Sequence, residues 1–186
     1  MSNANRALLV LGAIGAILYT LARWINIYTT MTGDQYLGLV FIAMVLVMLG
    51  VLVFYRKSGN PIHILTALVL LFHTVTYHFL HMLWVIDPIA YPWVDTSSIW
   101  RTEVGGAIVA VAWLLFAVSV LLMRDEYGGM ALLTGLVFLI WCIMLLLDKV
   151  FGFAWPTALT DIMLYFRTIA GAIATLFFFY ATAKES

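Results

Sequence analysis

Charge is what this sequence lacks most. Only 10% of its 186 residues are Asp, Glu, Lys or Arg, against 65% that are hydrophobic, whereas soluble domains are nearer a quarter charged. A chain of this size cannot cover so much apolar surface with so few polar side chains. That excludes an ordinary water-soluble domain and makes lipid the solvent. The formal net charge is zero, so there is no basic footprint for nucleic acid. Cysteine is nearly absent. Cys142 is alone, which rules out an intrachain disulfide and leaves the redox compartment open. A phosphate-binding glycine loop, a serine elbow and a zinc-protease motif are all missing, so no familiar catalytic constellation is written in the chain.

What is present is apolar length. A spanning helix needs roughly 20 apolar residues, and six segments qualify: Ala7 to Tyr28, Gln35 to Tyr55, Ile62 to Ile86, Thr102 to Met123, Met130 to Val150 and Asp161 to Thr182. The first follows Arg6 as a signal peptide would, but it has no obvious small-residue cleavage site and reads as a retained helix. Polar breaks separate the segments. Arg56 to Pro61 is a compact basic turn, with Pro61 suited to a first helical turn, and Arg124 to Gly129 is its counterpart. The expectation is a single all-α transmembrane domain over residues 1–186, a six-helix bundle built of three helical hairpins. Its basic turns place both termini in the cytoplasm by the positive-inside rule. The echo between Asp95…Arg101-Thr102…Gly105 and Asp161…Arg167-Thr168…Gly171 suggests duplicated hairpins,. Gly12 with Gly15, Gly105 with Gly106, and Ala170-Gly171-Ala172 mark places where helices can approach closely,.

Three of the four histidines crowd the third segment as His73, His78 and His81, beside Tyr77 and Trp84. At 100° per residue these side chains share one broad stripe. His78 and His81, three residues apart, can converge on one point, whereas His73 lies about 12 Å from His81 along the axis. Imidazole suits copper, iron and zinc, so His78, His81 and His73 are candidate metal ligands, with Asp87, Asp95, Glu103 or Asp148 as possible completing groups. A haem with a single axial histidine, or one shared between subunits, also fits. No cofactor is required by the sequence, and the histidines can equally serve as hydrogen-bonding groups between helices.

The same side of the bundle gathers Arg23, Arg101, Glu103, Asp148, Lys149, Asp161 and Arg167. Near the interface such charges can snorkel or pair with one another across hairpins. Alternatively Tyr77, Asp87, Asp95, Arg101, Glu103, Asp148, Asp161 and Arg167 outline an outward-facing vestibule for a polar or charged solute. The aromatic, proline-bearing connections at residues 87–95 and 151–156 read as interfacial belts. Three functions stay open. The foremost is an accessory or scaffolding subunit of a larger membrane complex, in contact with lipid and with other membrane subunits or copies of itself. The second is a metal- or haem-bearing redox or oxygenase subunit. The third is a small oligomeric transporter or channel, although the apolar midplane argues against a wide aqueous pore.

Overall fold

The computed structural model describes residues 3–28, 31–91, 103–152 and 157–185. They form six helices: α1 (Asn3–Tyr28), α2 (Gly33–Ser58), α3 (Pro61–Ile86), α4 (Glu103–Leu121), α5 (Arg124–Lys149) and α6 (Thr157–Lys184). Five of them, α1, α2, α3, α5 and α6, are long and apolar enough to cross a bilayer. In α4 the described apolar stretch, Gly105–Leu121, is shorter. The chain is a multi-pass, all-α membrane protein. Its outward faces carry exposed Ile42, Leu68, Phe72 and Leu176, as surfaces in contact with hydrocarbon should.

The local signals explain the tight α2–α3 junction. Gly59 adopts φ 67°, and its N–H donates to the Tyr55 carbonyl, which ends α2,. Asn60 then caps α3, its side chain accepting from the Ile62 N–H at 3.0 Å, with Pro61 in the first turn,. The Arg124–Gly129 segment departs from expectation in part. Residues 124–127 are helical, while Gly128 (φ 59°, ψ −139°) is not, so a turn stands there before the long apolar run of α5. Asp125 and Glu126 in its first turn suit the positive end of the helix dipole,.

Each helix packs on both of its sequence neighbours, and α6 packs on α1, so the bundle is a closed ring rather than three separate hairpins. The most extensive pairs are α1–α2 and α4–α5, followed by α1–α6. Small residues account for this. A Cβ on Gly15 would lie 2.5 Å from the Ala43 carbonyl oxygen of α2, and one on Gly135 would meet Leu121 and Ala117 of α4. Gly12 faces Gly50, and Gly171 of α6 faces Tyr19 and Thr20 of α1. Backbones that can touch bury more area per turn. The α3–α4 and α5–α6 hairpins suggested by the sequence echo are less extensive than α4–α5.

Both termini lie at one end of the ring. Arg56 donates to the Asn5 side chain at 3.2 Å, and Lys57 pairs with Glu126 and with Glu185 beside the C-terminus. Phe54, Tyr127, Phe177 and Phe178 fill the interior at this end, with ring centroids 5.5 to 6.2 Å apart. Trp113, Phe116 and Phe138 continue the packing toward the other end. There the interior opens.

Candidate functional site

The opening is shaped by an irregularity in α3. The helix is regular over Pro61–His73, widens to a π turn over Thr74–Phe79 and returns to α geometry over Leu80–Ile86. The N–H of Leu80 donates to the Val75 carbonyl, five residues back. Thr76 Oγ1 donates to the Phe72 carbonyl at 2.7 Å, supplying a side-chain donor where the backbone ladder is disturbed. Single π turns recur at functional sites.

The wider turn changes which histidines meet. In a regular α-helix His78 would lie about 140° around the axis from His73. Here their ring centroids are 5.4 Å apart at 67°. Tyr77 stacks on His73 at 5.6 Å and meets His78 edge-on at 4.8 Å. The sequence singled out His78 with His81; the structure also brings His73 against His78. His81 stacks on Trp84 at 5.5 Å and faces Tyr77 at 6.3 Å.

His73, Tyr77 and His78 form one wall of a cavity of about 100 Å³. Tyr19 and Arg23 of α1, Gly106, Val109 and Trp113 of α4, Trp141, Leu145 and Lys149 of α5, and Arg167 of α6 complete it. The Arg23 guanidinium lies 5.3 Å from the Tyr19 ring centre and 5.0 Å from that of Tyr36. Arg167 lies 5.0 Å from the Trp141 ring. These are cation–π contacts, and each guanidinium carries five N–H donors in a planar fork. Among the described side chains no carboxylate lies within ion-pair distance of either arginine; the ion pairs are Lys57 with Glu126, Lys57 with Glu185, and Lys149 with Asp148. Arg23 Nε and His78 Nδ1 are buried without a hydrogen-bond partner among the described residues. The remaining wall of Val109, Leu145 and two tryptophans is apolar, which strengthens any charge interaction inside it.

Lys149 contributes mainly its stem. Gly106 has no Cβ, which lets the aliphatic part of Lys149 pass against α4, and the ammonium meets Asp148 at 2.9 Å. Tyr19 and Trp113, in edge contact at 5.9 Å, line both this chamber and a void of about 20 Å³ bounded by Phe116, Phe138 and Ala174. Below that void lies the aromatic packing of the termini end.

The residues expected from the sequence separate clearly. His73, His78, Tyr77 and Arg167 line the chamber, and His81 does not. Asp87 is exposed, its side chain accepting from the N–H groups of Ile89 and Ala90 at 3.1 and 2.9 Å. Asp148 is engaged with its neighbour Lys149. Neither aspartate lines the chamber. Asp95 and Arg101 lie outside the described residues; Glu103 and Asp161 lie in α4 and α6, but their side chains are outside what is described. Among the described residues no group of three or more His, Cys, Asp or Glu is placed to hold a metal ion. Two arginines in the same cavity as the histidine pair also oppose a cation there.

Several chamber residues gave no sequence signal. Tyr19, Trp113 and Trp141 are aromatic residues in apolar runs, indistinguishable there from lipid-facing ones. Arg23 reads as a snorkelling interfacial charge, yet it turns inward over Tyr19, four residues earlier on the same face, a spacing that could have flagged it,. A second polar contact also went unseen. His63 Nδ1 and Ser119 Oγ are 2.6 Å apart, both fully buried between α3 and α4, next to a 3.1 Å bond from Thr66 Oγ1 to the Leu115 carbonyl. Neither His63 nor Ser119 lines the cavities described above. No protein-family model, curated protein or solved structure shows a significant match to the chain.

Proposed function

We propose that this multi-pass membrane protein binds a small anion in the chamber and works as a small carrier, with its basic, termini-bearing end in the cytoplasm. One observation carries the reading. Arg23 and Arg167 face one interior cavity from two different helices, without a carboxylate from the described side chains to answer them. Buried charge is stable only when paired, and intramembrane charge marks functional sites more often than structural ones. A bound anion would supply a partner. The packed aromatic rings beneath Tyr19 and Trp113 close the route toward the termini, as a carrier loaded from one side requires. Neither a scaffolding role nor a metal- or haem-bearing one gains support from this geometry.

The test is titration of the purified protein with small anions, followed by flux measurements in reconstituted vesicles. Saturable binding of one anion per chain, abolished in Arg167→Leu, is the expected result. Absence of binding across inorganic and short organic anions, or binding indifferent to both Arg23→Leu and Arg167→Leu, would overturn the proposal.

A further inference from the structure

We infer that the chamber selects an oxyanion that also carries a hydroxyl group, and that Nδ1 of His78 is the atom that reads it. This rests on the anion proposal above and adds the class of ligand. A cavity of about 150 Å³ holds benzene, so one of 100 Å³ suits roughly four or five heavy atoms. A guanidinium presents donor pairs in a planar fork that match two oxygens of one anion, which favours an oxyanion over a halide.

The arginines can only donate hydrogen bonds. His78 is different. It is 2% exposed, lines the same cavity, and its Nδ1 has no partner among the described residues. A neutral imidazole nitrogen either donates or accepts, according to tautomer. A hydroxyl satisfies it in both cases, while an anion with acceptors alone satisfies it in only one. Leaving a buried polar atom unpaired is penalised enough to discriminate between ligands of equal charge and shape. The π turn sets His78 beside His73 on the cavity wall.

Matched pairs test the inference. Hydrogencarbonate and nitrate are both planar monoanions of four heavy atoms, and only the first has a hydroxyl. Glycolate and acetate form the second pair. Titrations of the intact protein in detergent, at one fixed mildly alkaline pH, should favour the hydroxylated member of each pair by about tenfold or more. His78→Phe should bring both ratios close to one, and His78→Gln, which keeps a donor and an acceptor, should retain part of the preference. If all four anions bind but the wild-type ratios are near one, the hydroxyl reading is overturned and the anion reading stands. If the preference persists in His78→Phe, another group reads the hydroxyl and the assignment to His78 is wrong. If none of the four binds even in wild type, the anion proposal fails for small oxyanions and this inference fails with it.

Discussion

Lys57, at the termini end of the ring, sits between the carboxylates of Glu126 and Glu185, with Tyr127 donating to Glu185 at 3.1 Å. Arg23 and Arg167, at the other end, lie over aromatic rings with no described carboxylate in reach. Both regions draw cations partly out of water, but only in the first do the described residues supply counter-charges. The contrast separates two uses of buried charge. A cation whose partners are built in is part of the closure of the fold. A cation without one leaves a free-energy penalty that a ligand can relieve, and that relief appears as affinity.

The largest effect should come from Arg167→Met. Truncating one member of a buried, hydrogen-bonded charge pair typically costs 2 to 5 kcal/mol, so anion affinity should fall by roughly thirtyfold or more. Thermal unfolding of the unliganded protein should be unchanged or shifted upward, because an uncompensated buried charge has been removed. Unfolding and titration on the same sample check both halves. A marked loss of stability would mean that Arg167 is paired within the chain, and the contrast between the two ends would disappear.

Lys57→Met should do the reverse. The Glu185 side chain is 2% exposed, and stranding its carboxylate should destabilise the fold by about 3 kcal/mol. Anion affinity should not move. A smaller effect is expected from Ser119→Ala, which takes away the partner of His63 Nδ1 when His63 Nε2 already has none among the described residues. About 1 to 2 kcal/mol of stability should be lost, read from denaturation of the purified protein. The smallest change belongs to Asp148→Asn. Its pair with Lys149 is 30% and 57% exposed on the two side chains, so stability should shift by less than about 0.5 kcal/mol.

The helices were legible because a run of apolar residues long enough to cross hydrocarbon leaves few alternatives. Their arrangement was less so. Gly12, Gly15 and Gly171 announced close approaches, but not that α1 would contact α2 and α6 and so close a ring. The start of α5 was half legible: the break does fall within the segment, at Gly128, but Arg124, Asp125 and Glu126, which look like a polar turn, are helical, as a helix emerging at an interface allows. At the candidate site the histidines were visible and their pairing was not. A uniform 100° step joins His78 to His81, and nothing in Thr74-Val75-Thr76 declares that the step changes there. The counter-charge pattern was equally hidden, since it depends on which way Asp87, Asp148 and Arg23 turn rather than on which segment holds them.

The π turn of α3 also has a consequence for how the chain tolerates length changes. It accommodates one residue more than a regular helix would over the same rise, so the two α segments of α3 are out of phase with each other. Deleting Val75 would let the helix close as regular α geometry with Leu80–Ile86 keeping their facing, whereas the same deletion in a regular stretch would swing everything beyond it around the axis by about 100°. The change would fall on the interior wall, where Tyr77 and His78 would lose their present setting beside His73. A surplus residue of this kind confines a change of chain length to one place: the interior wall can be refurnished there while the lipid-facing stripe beyond Leu80 keeps its register.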